Sequence, residues 1–154
     1  MRFLRRRYKS QYPSYEGIQL VQSGHHFPFY LEDLETIYFD IILENTQEKV
    51  GMIDLRIGMN DYYYYLGQVG YNILEKYRGH HYSYKACRVL FEIVKAQYKM
   101  KELWITCSPE NIASYKTLVK LKGELMETVR VPKTHELYYR NERVKCIFKY
   151  DLME

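Results

Sequence analysis

The sequence has no long apolar run. No stretch approaches the ~20 residues that a membrane span needs, and no signal-peptide core is recognisable. It also has no internal repeat and no low-complexity linker, and its four prolines are dispersed. These absences argue against a membrane protein and against a repeat protein. A single domain over residues 1–154, in the cytoplasm and without a membrane partner, is the prediction, since this length buries a sizeable core.

Cysteine is scarce. Cys87, Cys107 and Cys146 are far apart in sequence, and no two of them form a CxxC pair. Each lies in or beside a segment with the pattern of a core element, so buried, reduced thiols are predicted. A cysteine nucleophile is the weaker alternative.

Charge and aromatic content exclude disorder without naming a function. Charged residues make up 27% of the chain and hydrophobic residues 47%, which is typical of a globular protein. The net charge is +4, and part of the excess lies at the start, in Arg2, Arg5, Arg6, Arg7 and Lys9. Such a cluster is usually a solvated terminus, and a nucleic-acid partner is not the preferred interpretation. The 18 tyrosines suit half-buried strands and cleft walls.

The hydrophobic pattern predicts an α+β fold. Residues 35–43, 50–57 and 62–74 are expected to form an antiparallel meander, whereas residues 8–29 show only loops with a short strand or helix. The period then changes to that of a helix over residues 82–98, followed by a strand over 103–107. A helix capped by Asn111 and ending near Gly123 is expected next, and then two closing strands over 125–131 and 143–152. The helical crossover should place strand 103–107 parallel to the strand that ends at Leu74.

The junction between residues 70 and 83 is the best candidate for chemistry. A strand ends, a short loop carries Arg78 and Gly79, and a long helix begins. The first turn of a helix presents unpaired N–H groups that favour phosphate oxygens, and glycine lets the backbone approach them. Taken alone, the junction is equally compatible with an ordinary strand–helix connection.

Three motifs together resemble the GNAT family of N-acetyltransferases. The segment Tyr77-Arg78-Gly79-His80-His81-Tyr82-Ser83 is similar to the family's motif A, and Gly70-Tyr71-Asn72-Ile73 to the strand before it. Pro109-Glu110-Asn111-Ile112-Ala113-Ser114 resembles motif B. The resemblance covers residues 66–123 and implies a GNAT (acyl-CoA N-acyltransferase) fold, with a mixed central sheet of six or seven strands flanked by helices.

The resemblance also implies how acetyl-CoA, the co-substrate, is held. Main-chain groups of Ile73 and Leu74 would bind the pantetheine arm, and Asn111 would reach it from the other side. The turn through Arg78, Gly79, His80, His81, Tyr82 and Ser83 would surround the pyrophosphate. Ser114, Lys116 or Lys120 would face the adenosine end.

Two departures from the family pattern bear on the site. His81 replaces the second glycine of motif A, so its side chain should point away from the pyrophosphate or the loop should shift. A metal held by His80 and His81 is not expected, since no third ligand is suitably spaced. Leu118 stands where many members carry the tyrosine that protonates the thiolate. Tyr115 is the nearest phenol, and Ser114 or a water is the alternative.

The sequence offers several candidates for the general base. The fourth strand carries no carboxylate before Glu75, and the other candidates are Glu110, Glu127 and His135. His135 is preferred because its ordinary pKa suits proton transfer. The predicted function is transfer of an acetyl group to a primary amine of a small molecule or peptide. A non-catalytic coenzyme A-binding protein is the alternative, and a homodimer is compatible with the family.

Overall fold

The computed structural model describes residues 8–153. The strands are β1 (Ile18–His26), β2 (Glu35–Leu43), β3 (Lys49–Ile57), β4 (Val69–Ile73), β5 (Glu102–Cys107), β6 (Glu124–Arg130) and β7 (Val144–Asp151). The helices are α1 (Asp61–Leu66), α2 (Tyr82–Ile93), α3 (Ile112–Lys120) and α4 (Glu136–Tyr139). A 3₁₀ turn spans Glu75–Tyr77, and a π turn over Val94–Tyr98 extends α2. Arg2, Arg5, Arg6 and Arg7 of the basic cluster lie outside the described residues.

The strands form two antiparallel sheets. The order is β1-β2-β3-β4 in the first sheet and β5-β7-β6 in the second, which confirms the α+β fold with seven strands. The expected parallel ladder between β4 and the strand 103–107 does not form. The two sheets are joined instead where the N–H of Gln68 donates to the carbonyl of Trp104 at 2.7 Å. The N–H of Trp104 returns a bond to Gln68 Oε1 at 2.9 Å, so β4 and β5 meet at one end and separate beyond it.

Residues 18–26 and the tyrosine run at 62–65 differ from the sequence prediction, and so does helix α4, which lies in the predicted loop between the closing strands. Residues 18–26 form a nine-residue strand, which the pattern conceals because polar residues and Gly24 interrupt its alternation; the register shifts at this glycine. The tyrosine run at 62–65 lies in helix α1, not in a strand, although tyrosine favours strands. The helix begins there because Asn60 Oδ1 accepts the N–H of Tyr63 at 3.0 Å, and it ends at Gly67 with φ 84°.

The core lies between α2 and the first sheet and continues into the second. Helix α2 buries Ala86, Cys87, Val89, Leu90 and Ile93 on the predicted face. Together with Phe39 of β2 and Phe148 of β7, these residues belong to one cluster that draws on both sheets. All three cysteines are free and buried, which confirms their predicted state. Within residues 8–153, no helix combines the length and apolar character required to cross a membrane.

Candidate functional site

The separation of β4 from β5 opens a cleft between α2 and α3. A first cavity of about 370 Å³ lies against the end of β4 and the start of α2. It is lined by Tyr71, Asn72, Ile73, Tyr77, Arg78, Gly79, His81, Tyr82, Ser83, Asn111, Ala113 and Ser114. A second cavity of about 410 Å³ is lined by Gly79, His81, Ser83, Tyr84, Ile112, Ala113, Lys116, Thr117 and Lys120. The two share four residues, and together they are called the long cleft.

The long cleft is electropositive. Its lining includes the cations Arg78, Lys116 and Lys120, and among the described residues that form its walls there is no carboxylate. The N-terminus of α2 opens into it and adds the partial positive charge of a helix end. Such a cleft suits a ligand that carries several phosphates.

The turn before α2 has the backbone shape that a phosphate loop requires. Gly79 has φ 89°, and a Cβ at this position would meet open space, so the conformation rather than crowding calls for glycine. His81 is also left-handed, with φ 60° and ψ 27°, at the position where the family has its second glycine. His81 borders both cavities. His80 lies outside the lining and stacks on Tyr82, with ring centroids 5.2 Å apart.

The end of β4 is tied to this turn. Arg78 Nε donates to the carbonyl of Ile73 at 3.0 Å, and Ile73 lines the first cavity. The N–H of Leu74 donates to the carbonyl of Val50 at 2.8 Å. That bond engages the Leu74 N–H, and a role of the Leu74 main chain in binding the pantetheine arm stays a prediction.

The start of α3 forms the opposite wall. Asn111 Oδ1 accepts the N–H of Ser114 at 3.2 Å, which confirms Asn111 as the N-cap of this helix. The Oγ of Ser114 lies 2.6 Å from the hydroxyl of Tyr71 on β4. This bond crosses the gap between strand and helix. Sequence reasoning did not select Tyr71, although it lies within the quoted segment Gly70-Tyr71-Asn72-Ile73.

A third cavity of about 250 Å³ lies behind this bond. It is lined by Arg56, Leu66, Val69, Gly70, Tyr71, Thr106, Cys107, Ser108, Asn111, Ser114, Glu142 and Lys145, and it is called the rear cavity. The pair Tyr71 and Ser114, with Asn111, borders both the rear cavity and the long cleft. These three residues would therefore separate a ligand in the long cleft from a ligand in the rear cavity.

The rear cavity carries two ion pairs. Arg56 Nε lies 3.1 Å from Asp54 Oδ1, and burial raises the pKa of the Asp54 carboxyl against the opposing effect of Arg56. Lys145 is buried, and its Nζ lies 2.9 Å from Glu142 Oε1. Ser108 Oγ also donates to Glu142 Oε1, at 3.2 Å. The charge pattern is mixed, unlike that of the long cleft.

The two side chains predicted to be catalytic lie elsewhere. Tyr115 packs edge-on against Phe148, with centroids 5.6 Å apart, and belongs to the margin of the core. Its place in α3, one residue after Ser114, turns the phenol away from the cleft. A role for Tyr115 as the acid is therefore not supported by the geometry.

His135 is a structural residue by its contacts. It is buried, and its ring stacks on Tyr62 with centroids 4.4 Å apart. Nδ1 accepts the N–H of Leu137 at 3.1 Å and caps α4, while Nε2 lies 2.8 Å from the carbonyl of Tyr62. Because both ring nitrogens have partners, a role for His135 as the general base is not supported.

The other base candidates are equally poorly placed. Glu127 Oε1 accepts the hydroxyl of Tyr64 and lies on the exposed strand β6. Glu75 lies in the exposed 3₁₀ turn, and Glu110 is exposed before α3. The carboxylate that does line the rear cavity is Glu142, in the loop before β7, where no motif in the sequence marked it.

Comparison with solved structures gives the same fold. A GNAT-family acetyltransferase from Bacillus anthracis has a TM-score of 0.61 and 20% identity, over 76% of this chain and 67% of that chain. The ribosomal-protein-S5-alanine acetyltransferase from Vibrio fischeri has a TM-score of 0.60 and 16% identity, over 77% of this chain and 63% of that one. The microcin C7 self-immunity acetyltransferase, in complex with acetyl-CoA and AMP, has a TM-score of 0.56 and 15% identity, over 75% and 61%.

These identities are low, so the likeness shows the fold alone. The chain also spans less than two thirds of the length of the second and third of these proteins. No curated protein is matched by the sequence. The acetyltransferase (GNAT) domain family, however, matches residues 6–124, which is most of the chain and includes the loop and helix start that line the long cleft. The chain belongs to the GNAT acetyltransferase family.

Proposed function

We propose that the protein transfers the acetyl group of acetyl-CoA to a primary amine. The long cleft would hold the coenzyme, with the pyrophosphate at the turn Arg78–His81 and the start of α2. Lys116 and Lys120 line the far end of the cleft, where they suit the phosphate of the adenosine part. Support comes from the positive lining and from the related microcin immunity enzyme, whose structure contains acetyl-CoA.

The rear cavity would receive the acceptor. The observation that carries this proposal is that Tyr71, Asn111 and Ser114 border both spaces. A thioester carbonyl held at these residues is open to attack by an amine from the rear. Holding both reactants in this way supplies much of the catalysis, because it replaces a bimolecular encounter by a positioned one.

Glu142 is the proposed proton acceptor for the incoming ammonium. It lines the rear cavity, and its side chain is 36% exposed, so a proton can pass from it to bulk water. Its bonds to Lys145 and Ser108 fix the carboxylate and leave its second oxygen for the substrate. Removing the first proton from the ammonium gives the neutral amine that attacks.

The acceptor class proposed is a small-molecule or peptide amine. A cavity of about 250 Å³ admits the end of a chain or a small molecule rather than a folded surface. Two similar proteins are named for an alanine of ribosomal protein S5 and for self-immunity to microcin C7.

The test measures thiol release from acetyl-CoA against a panel of amines, in wild type and three variants. Lys116→Ala with Lys120→Ala should raise the KM for acetyl-CoA, and Glu142→Gln should affect the amine instead. Arg140→Ala is the control, since Arg140 is exposed and pairs with Glu136 in α4. Thiol release that is unaffected by any amine would contradict the proposal.

A non-catalytic coenzyme A-binding protein is the second candidate. The observation in its favour is Leu118, which is fully buried where many family members carry the catalytic phenol. Acetyl-CoA would then raise the melting temperature, as any ligand of the folded state does, without release of thiol in the presence of amines.

A further inference from the structure

The hydrogen bond between Tyr71 and Ser114 is unusual in its position. It joins β4 to the first turn of α3 at 2.6 Å, and both of its side chains line the long cleft and the rear cavity. Strand and helix are otherwise separated here by the opening between β4 and β5. The two hydroxyl groups thus form a polar link between the proposed coenzyme and acceptor spaces.

Either hydroxyl of this pair can donate the hydrogen bond. Tyr71 packs at the margin of the core, near the buried thiols Cys87 and Cys107. In the described part of the chain, Ser114 Oγ is the oxygen acceptor within hydrogen-bond distance of the Tyr71 hydroxyl. A phenol is a stronger acid, and hence a better donor, than an aliphatic hydroxyl, so Tyr71 is taken as the donor to Ser114. The hydrogen of Ser114 is then available to another acceptor, and Ser114 lines the long cleft.

We propose that Tyr71 and Ser114 form a two-step proton relay that returns the proton of the acceptor amine to the sulfur of coenzyme A. This inference rests on the proposed function. It assigns to Tyr71 a role in transfer, and it explains how the reaction proceeds without a phenol at Leu118.

The proton balance of the relay is complete. As the C–N bond forms, the amine nitrogen becomes positive, and as the C–S bond breaks, the sulfur becomes a thiolate. Ser114 gives its proton to the sulfur, and Tyr71 gives its own to Ser114. Tyr71 then recovers a proton from the nitrogen, directly across the wall of the rear cavity, so both hydroxyl groups end as they began.

The environment keeps Tyr71 neutral between turnovers. Burial raises the pKa of Tyr71, nearby Cys87 adds to the effect, and the bond to Ser114 opposes it. Tyrosinate is therefore a short-lived state that must regain its proton, as the relay requires. The other groups that face Tyr71 are Cys107 on β5 and Tyr150 on β7, whose pKa values burial also raises. The charged groups of the rear cavity are Arg56, Glu142 and Lys145.

The first test needs no acceptor. Coenzyme A with a free thiol is bound to the protein, and the ionisation of that thiol is followed by the absorbance of the thiolate as pH rises. A sample of the protein without coenzyme A serves as the reference. A free thiol has a pKa of about 8.5, and a donor directed at the sulfur favours the thiolate and lowers that value. Burial raises the pKa of both Cys87 and Cys107 to about 12, so these thiols do not titrate in the same range.

Tyr71→Phe should raise the pKa of the bound thiol by about one unit, because Ser114 loses the bond that directs its hydrogen. Ser114→Ala should do the same, and it keeps the helix intact because the cap uses the Ser114 N–H, not Oγ. Tyr115→Phe, which removes the neighbouring phenol outside the cleft, should match wild type. Identical pKa values in wild type, Tyr71→Phe and Ser114→Ala would overturn the relay.

The second test is kinetic. Tyr71→Phe, Ser114→Ala and the double variant should each turn over about a hundredfold more slowly, with KM for acetyl-CoA little changed, because removing either member stops the whole relay. Ser114→Thr keeps a hydroxyl and should restore most of the rate. A double variant that loses the product of the two single effects would overturn the relay, since independent roles give additive free energies. A third outcome is that wild type releases no thiol with any amine while Tyr71→Phe and Ser114→Ala still raise the pKa of the bound thiol. That result would contradict the proposed acetyl transfer but would support the action of the hydroxyl pair on the sulfur.

Discussion

Arg78 Nε lies 3.0 Å from the carbonyl oxygen of Ile73, and this bond closes the loop between β4 and α2. It ties the turn through Gly79 to the end of the strand that opens the long cleft. One side chain therefore shapes the loop and places a permanent positive charge in the cleft lining.

Replacing Arg78 should weaken coenzyme binding and leave the stability of the folded protein almost unchanged. Arg78→Ala is expected to raise the Kd for acetyl-CoA by about tenfold, the effect of one charge-assisted contact of ~1.4 kcal/mol. Arg78 is exposed, so the melting temperature should change little. Calorimetric titration at low and high salt measures the effect, and the difference from wild type should shrink as salt screens the charge. An unchanged Kd would show that Arg78 does not contribute to acetyl-CoA binding.

A left-handed backbone at His81 makes a second prediction. A side chain at φ 60° carries strain of roughly 1 kcal/mol that glycine avoids, although glycine also has more freedom in the unfolded chain. His81→Gly should therefore leave the free energy of unfolding unchanged or raise it by up to about 1 kcal/mol. His81→Val should lower it, because a β-branched residue is poorly tolerated there.

The matched control is the adjacent His80→Gly. His80 is not among the residues with positive φ, so glycine there relieves no strain and only adds freedom to the unfolded chain. Urea unfolding of the three variants separates these effects. If His80→Gly and His81→Gly are equally destabilising, the left-handed conformation of His81 carries no strain.

The sequence predicts more of the residues that line the cleft than of the residues proposed for proton transfer. Gly79, Asn111 and the start of α2 act through backbone geometry, which local sequence determines. The pair of Tyr71 and Ser114 depends instead on how a strand and a helix 43 residues apart approach each other. No local pattern encodes that approach.

The same reason explains the errors in secondary structure. The tyrosine run follows the strand preference of its residues, yet Asn60 and Gly67 delimit a helix of six residues. The strand preference of the four tyrosines did not decide the structure, because the Asn60 cap and the left-handed Gly67 fix the backbone at the two ends of the helix. The sheet division at Gln68 and Trp104 is likewise a tertiary feature.

The contacts of His135 predict a loss of stability without a loss of catalysis. His135→Asn keeps an acceptor for the N–H of Leu137, since asparagine is a good N-cap, but loses the bond to the carbonyl of Tyr62. The free energy of unfolding should fall by about 1–2 kcal/mol, and His135→Ala should cost more. The turnover rate should stay within about twofold of wild type in both, measured below their melting temperatures. If His135→Asn instead slows turnover by about a hundredfold, His135 is restored as a base.

Buried thiols predict how stability depends on pH. Burial raises the pKa of Cys87 and of Cys107 to about 12, from an ordinary value of 9.0. Between pH 9 and 12 the unfolded chain holds fewer protons at these groups than the folded one, so the free energy of unfolding falls as pH rises. Below pH 9 their contribution is constant. Urea unfolding at several pH values measures the slope.

A variant assigns that slope to a particular thiol. Cys87→Ala removes one group and should reduce the slope above pH 9 by at most about 1.4 kcal/mol per pH unit, the value for one proton. A methyl group in place of the thiol also costs some packing, but that loss is the same at every pH and moves the curve without changing its shape. If the curves of wild type and Cys87→Ala stay parallel from pH 7 to 11, the alkaline loss arises from other groups, of which Tyr150 is the first to test because burial raises its pKa as well.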